Sequence, residues 1–281
     1  MGRYLIALSE DESFNNNSIE VLSELCGNPT EHLFVGLLIK DFSYISTISS
    51  YLGEPALADF FPYKPGLITE EDHKKAEIIA KFEKSAQDHM VSYEIHNDFR
   101  LTAHELIRQT TYSDLLVISY RIFFNYVSKD PDTTMLYQIL KGSKCPVMIL
   151  PENIQQIGNI IFTYDNKESS VFAIKAFSQL FSSATRDKIV SILSVMPSAD
   201  EEIKNEKLLL DLVKQHYHNV GIQLLNGSSI SRAILDFAGS VSNPLLVMGA
   251  YGRSHISNLF LPSVARNILV ESNVPLFIAH R

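Results

Sequence analysis

Residues 244–269 read PLLVMGAYGRSHISNLFLPSVARNIL. The segment begins with a short apolar run, continues through two glycines that are three residues apart, Gly249 and Gly252, and ends in a pattern typical of a helix. A strand that is buried on both faces of a parallel sheet is apolar along its length, and a helix that packs back on the sheet follows it. The segment therefore predicts a strand–loop–helix unit of an α/β protein.

A similar unit occurs earlier in the chain. The run DLLVIS (residues 114–119) lies 130 residues before PLLVMG (residues 244–249), and KCPVMI (144–149) lies 129 residues before NVPLFI (273–278). Segments that recur at nearly one spacing indicate an internal repeat. The 281 residues are therefore predicted to form two tandem α/β domains, residues 1–152 and 153–281, each a doubly wound parallel sheet.

The first predicted domain carries an insertion. The first strands of the two domains are 155 residues apart at Ile6 and Ile161, so the first domain holds about 25 additional residues. We place them at residues 41–66, which contain six aromatic residues and three prolines. Three uses stay open, namely a lid over the second domain, a dimer contact or an extension of the core. Packing is the commoner use of an aromatic-rich loop.

Composition excludes several classes of protein. The apolar runs are far shorter than the roughly 18 residues that a membrane-spanning helix needs. The N-terminal residues lack the pattern of a signal peptide. The two cysteines, Cys26 and Cys145, form no CxxC pair, so neither a disulfide framework nor a zinc site is predicted. We expect a cytoplasmic protein without a membrane segment.

Charge differs between the two halves. The net charge of the chain is −8; residues 1–152 contribute −9 and residues 153–281 contribute +1. Non-specific binding of nucleic acid needs a basic face, so a nucleic-acid partner is not expected. A phosphate ligand would fit the second half better than the acidic first half.

The loop after the strand at residues 244–249 is the candidate ligand site. Ligands of open parallel sheets bind beyond the carboxyl ends of the strands. Gly249 and Gly252 permit close approach of the backbone, Arg253 adds donors, and Ser263 and Val264 begin the predicted helix, whose N-terminus attracts phosphate. From the spacing alone, an ordinary strand-to-helix turn with Ser263 as N-cap is the favoured interpretation, because paired glycines are common.

The spacing resembles the signature of the universal stress protein family, G-x2-G-x9-G-S/T after the fourth strand. Gly249, Gly252 and Ser263 match it, whereas Pro262 stands where the family has a glycine. The resemblance covers the chain as two tandem copies. It implies two Rossmann-like domains, a site for ATP or another adenine nucleotide in the second, with Mg²⁺ as a companion of ATP, and a regulatory role in the stress response.

The resemblance also implies which residues touch the nucleotide. Asp165 ends the first strand of the second domain, where the family places a carboxylate against the base and ribose. The remaining implied contacts are Thr163 and Tyr164 before that carboxylate, Val195 packing the base, and Met248, Gly249, Gly252, Ser263 and Val264 at the ribose and phosphates. For Asp165 a cap or turn role is the alternative. Pro262 removes one N–H donor from the loop.

The first domain has lost the glycine pattern, because Ser119 and Ile122 stand at the two glycine positions. We expect it to be a degenerate copy with a structural or partner-binding role, in a chain that binds a protein partner or a second copy of itself. The alternative functions are an interaction or scaffold protein whose nucleotide site is lost at Pro262, and an enzyme of the same fold. No catalytic residues or metal ligands can be assigned, so at most weak ATP hydrolysis is expected.

Overall fold

The computed structural model describes residues 2–8, 12–38, 70–96, 103–119, 135–151, 154, 156–196, 202–227, 229–249 and 274–279. Two predicted features lie outside these residues. One is the insertion at 41–66. The other is most of the glycine loop, with the site residues Gly252, Arg253, Ser263 and Val264 and the departure at Pro262.

Strands and helices alternate along the chain, as the apolar runs and helical spacings predict. The elements of the first half are β1 (Arg3–Leu8), α1 (Glu12–Cys26), β2 (Leu33–Leu38), α2 (Glu70–Asp88), β3 (Ser92–His96), α3 (Ala103–Thr110), β4 (Leu115–Ser119), α4 (Met135–Gly142) and β5 (Val147–Leu150). Those of the second half are β6 (Asn159–Thr163), α5 (Glu168–Thr185), β7 (Ile189–Met196), α6 (Glu206–Lys214), β8 (Asn219–Asn226), α7 (Ile230–Ser240), β9 (Pro244–Gly249) and β10 (Leu276–Ala279).

The described strands form one sheet of ten, in the order β3-β2-β1-β4-β5-β10-β9-β6-β7-β8. Each half thus has the same internal order, with its first strand between its second and its fourth. The strand order reverses between β1 and β4, and again between β6 and β9. In open α/β sheets such reversals are where ligands bind. The predicted fold class, two doubly wound α/β units in tandem, is confirmed.

The halves join through their last strands. β10 runs parallel to β9 but antiparallel to β5, with Phe277 opposite Met148. The other described strand pairs are parallel. Because the direction changes at this single junction, the carboxyl ends of the strands lie at opposite edges of the sheet in the two halves.

Helices α1 and α5 pack on the same face of the sheet and contact each other across the junction. On α5, Ile174, Phe177 and Phe181 follow one another at spacings of three and four residues and are buried. Phe177 and Phe181 also surround Phe277 of β10, with ring centroids 5.2 and 6.2 Å away. The buried cluster on this face draws side chains from both halves, so the two halves share one core.

Candidate functional site

The candidate site lies at the carboxyl edge of the second half. β6 is hydrogen-bonded to β7 on one side and to β9 on the other, with Thr163 opposite Leu193 and Phe162 opposite Val247. The three strands therefore end at one edge, at the reversal of strand order. Among the sequence-predicted residues, this arrangement brings Asp165, Val195 and Met248 to the same edge as Gly249.

Gly249 ends β9 against the first turn of α5. A Cβ built on Gly249 would lie 2.4 Å from the carbonyl carbon and oxygen of Ser169 and 2.5 Å from the backbone nitrogen of Ser170. Backbone atoms of a helix cannot rotate out of the way, so no side chain fits here. The close approach means that the loop after Gly249 starts beside the N-terminus of α5, where unpaired N–H groups favour an anion.

Thr163 and Tyr164 are held by the protein itself. The Thr163 hydroxyl donates to the carbonyl of Val247 on β9 at 3.1 Å. The buried Tyr164 side chain donates from its hydroxyl to the carbonyl of Lys204 at 2.9 Å. Burial, and then the nearby charge of Asp165, raises the pKa of Tyr164, so its hydroxyl stays protonated. These contacts give both residues a structural role.

Asp165 forms a tight turn with Lys167. One carboxylate oxygen accepts a hydrogen bond from the backbone N–H of Lys167 at 3.2 Å, and the other lies 3.5 Å from the Lys167 amine. The first of these bonds is the turn role that sequence leaves open for this residue. The Asp165 side chain is still 32% exposed. A carboxylate has about four acceptor positions, so it retains capacity for a ligand hydroxyl or amine.

Asn166 joins the loop after β6 to the loop before α6. Its backbone has a φ of 63°, in the left-handed region that asparagine tolerates better than most residues. Its side-chain oxygen accepts from the N–H of Lys204 at 2.8 Å, and its amide donates to the carbonyl of Glu202 at 3.3 Å. The sequence shows the turn-forming Asp-Asn pair, but it does not show this partner, 38 residues away.

Val195 and Met248 supply an apolar surface at the edge. Both belong to the cluster on the sheet face that α7 covers, together with Leu193 and Ile234. Met248 is buried and Val195 is partly buried. A flat aromatic ligand needs an apolar wall with a few polar groups at its rim. Val195 and Met248 are apolar side chains of this kind, on strands that end at the same edge as β6.

The structure assigns no metal site to this region. In the described part of the chain, no group of three or more His, Cys, Asp and Glu side chains is arranged to hold a metal ion. Over the same residues, no helix is both long and apolar enough to cross a membrane.

Comparison with known proteins relates the second half to one family. Residues 181–280 match the model of the universal stress protein family. This part of the chain is similar to universal stress protein domains. The matched range contains Val195, Met248, Gly249 and the whole glycine loop. Thr163, Tyr164 and Asp165 precede it. No match was found among curated protein sequences.

Two solved structures, from Archaeoglobus fulgidus and Pseudomonas aeruginosa, share the fold over nearly the full length of the chain. A universal stress protein from Archaeoglobus fulgidus DSM 4304 aligns with 100% of this chain and 96% of its own, at 16% identity and a TM-score of 0.68. A functionally unknown protein from Pseudomonas aeruginosa PAO1 aligns with 99% and 92%, at 9% identity and a TM-score of 0.60. A universal stress protein in complex with cAMP aligns with 44% of this chain and 97% of its own, at 21% identity and a TM-score of 0.38. The arrangement of two units around one sheet is thus shared by proteins of very different sequence.

Proposed function

We propose that the second half binds an adenine nucleotide, ATP or a close relative, at the carboxyl edge of β6, β7 and β9. One observation carries the proposal. Gly249 is pressed against the first turn of α5 at the reversal of strand order, at the edge of the sheet where the strands that carry Val195 and Met248 end and Asp165 follows β6. The chain would act as a nucleotide-dependent regulatory module of the stress response.

Each part of the ligand has a counterpart at this edge. The base packs on Val195 and Met248, while Asp165 accepts from the ribose hydroxyls or the exocyclic amine. The phosphates lie along the loop that starts at Gly249 and N-terminal to its predicted helix, where the backbone and the side chain of Arg253 donate to them. Mg²⁺ would arrive with ATP, coordinated mainly by phosphate oxygens and water.

The alternative is a protein of the same fold that no longer binds nucleotide and acts as an interaction or scaffold protein. A specific observation favours it: the Thr163 hydroxyl and the Asp165 carboxylate are already used by partners within the protein. Pro262 adds to this alternative, because it removes one N–H from the loop. Both functions keep the first half, residues 1–152, as a structural or partner-binding unit beside residues 153–281.

The proposal also includes the compartment of the protein and its partner. Both cysteines are free and buried in the structure, which is consistent with a reducing compartment, and we place the protein in the cytoplasm. A protein partner, or a second copy of the chain, would respond to the occupied state of the site. No residue is proposed as catalytic, so ATP turnover is expected to stay near background.

The first test identifies the ligand. Small molecules released from the purified, denatured protein are analysed by mass spectrometry, and ATP, ADP and AMP are then titrated calorimetrically. We expect a bound adenine nucleotide, or binding at one site per chain. Absence of both would overturn the proposed site and would favour the interaction protein. Steady-state ATP turnover far above background would instead indicate an enzyme.

Two variants test the glycine loop. In Gly252→Val a branched side chain enters the space proposed for the phosphates, so binding should be lost. Gly221→Val is the matched control, since a Cβ at Gly221 meets nothing within 4 Å and the residue lies in the edge strand β8. Pro262→Gly should keep or strengthen binding. A clear loss in Pro262→Gly would show that the ligand uses the proline.

A further inference from the structure

The side-chain amine of Lys167 places a positive charge in the proposed site. The residue stands at the N-cap position of α5, but its side chain makes no capping hydrogen bond there. Its amine instead lies 3.5 Å from one oxygen of Asp165, while its backbone N–H donates to the other oxygen at 3.2 Å. The loop therefore holds the amine beside the carboxylate that the proposed function assigns to the nucleoside.

The charges of this loop are unbalanced without Lys167. Residues 164–168 contain one cation, Lys167, between two carboxylates, Asp165 and Glu168. Glu168 occupies the first turn of α5, the part of the helix on which Gly249 packs. A phosphate that approaches this turn meets two negative side chains. One positive charge next to them reduces that repulsion at short range.

The ion pair is also easy to exchange. The side chain of Lys167 is 49% exposed and that of Asp165 is 32% exposed. Pairs as exposed as this one are weak because water competes for both charges. A ligand that offers hydroxyls to the carboxylate and an anion to the amine can therefore replace the internal contact with two contacts of its own.

We propose that Lys167 determines the specificity of this site, favouring adenine nucleotides over the uncharged nucleoside. The inference rests on the proposed function and deepens it. In the free protein the amine contacts Asp165. In the complex the amine contacts the phosphate next to the ribose, and Asp165 accepts from the nucleoside. A nucleoside has no phosphate, so it contacts Asp165 but not the amine of Lys167.

The test compares adenosine, AMP and ATP by calorimetric titration of the full chain. In Lys167→Met we expect the affinities for AMP and ATP to fall about tenfold, the scale of one lost charge-assisted hydrogen bond. The affinity for adenosine should change by less than about twofold, since it makes no contact with the amine. Lys167→Arg should retain most of the preference for AMP, and the salt dependence of AMP binding should weaken in Lys167→Met.

The control is Lys175→Met, which removes an exposed lysine from the same helix, two turns further on. It should leave all three affinities unchanged. If wild type binds nucleotide and Lys167→Met lowers the affinities for adenosine and AMP by the same factor, Lys167 only shapes the loop and the specificity inference is wrong. Equal affinities of wild type and Lys167→Met for all three ligands would also overturn it. If wild type binds none of the three, the proposed function itself fails, and the inference with it.

Discussion

Packing against α5 explains why position 249 is a glycine. Its backbone lies outside the left-handed region, so conformation alone would accept alanine. The first turn of α5 would not, because the new Cβ would lie 2.4 to 2.5 Å from backbone atoms of Ser169 and Ser170. The glycine is therefore needed for the fold of the second half, whether or not a ligand binds beside it.

Gly249→Ala should lower the free energy of unfolding by about 1 to 3 kcal/mol, the usual cost of overpacking. Urea unfolding followed by circular dichroism measures this, since the chain has no tryptophan. Gly221→Ala, where the Cβ has open space, should stay within about 0.5 kcal/mol of wild type. Equal stability of Gly249→Ala and Gly221→Ala would contradict the close packing of β9 on α5.

The buried thiols predict a loss of stability at alkaline pH. Burial raises the pKa of Cys26 and of Cys145 to about 12, from an ordinary value of 9 in the unfolded chain. Between these values the unfolded chain releases thiol protons that the folded protein keeps, so stability falls as pH rises from about 9 to 12. At pH 10 each thiol should contribute on the order of 1 kcal/mol of that loss.

Urea midpoints at pH 8 and pH 10 test the assignment. In Cys145→Ala the fall between the two pH values should be smaller than in wild type by about that amount. Tyr217, whose pKa burial raises to about 12, adds a second loss above its ordinary value of 10 and remains in the variant. A fall of wild-type size in Cys145→Ala would show that its thiol does not titrate as described.

At the scale of the elements, local signals predict the strands well and their partners poorly. The repeated segment NVPLFI (273–278) contains the first three residues of β10, Leu276–Ala279. An apolar run does not mark the ends of β8, Asn219–Asn226, because polar residues there still pair with β7. The glycine signature and the family resemblance give Gly249 and Asp165. The contact of Gly249 with α5 depends on how the helix packs, which a local pattern does not contain.

The Asn166 bridge is the clearest contact that the sequence could not show. Asn166→Ala removes two hydrogen bonds to the loop before α6 and puts alanine at a φ of 63°. We expect a loss of about 1 to 3 kcal/mol in the free energy of unfolding. Asn166→Gly accepts the backbone angle but also lacks the hydrogen bonds, so it should recover about 1 kcal/mol of the loss.

Urea unfolding separates the two contributions. If Asn166→Ala and Asn166→Gly are equally destabilised, the hydrogen bonds account for the whole effect and the backbone angle for none. If both are as stable as wild type, the bridge between the two loops does not contribute to stability.

For the whole molecule, the antiparallel pairing of β5 with β10 determines which strand ends lie at the same edge of the sheet. β2 ends at the edge of the sheet opposite Gly249 and is separated from β9 by four strands. The insertion at 41–66, which follows β2 in the sequence, lies outside the described residues. The repeat predicts two similar halves, but not which strands join them, since the joining contact belongs to neither copy.

A partly buried ion pair links the two halves at the junction. The amine of Lys188, before β7, lies 2.6 Å from a carboxylate oxygen of Glu24 on α1 and also donates to the carbonyl of Ile157. The two side chains are only 18% and 21% exposed. Removing one partner leaves the other charge largely shielded from water, which costs more than the pair contributes.

Glu24→Gln and Lys188→Met should each destabilise the protein by about 1 to 3 kcal/mol, and the double variant should lose less than the sum by about 1 kcal/mol or more. Because the two halves share one buried core and one sheet, all variants should unfold in a single transition by circular dichroism. Lys175→Met, on the exposed surface of α5, serves as the control and should be neutral. Additive losses would mean that the pair does not couple the halves, and two separate transitions would mean that each half is stable without the other.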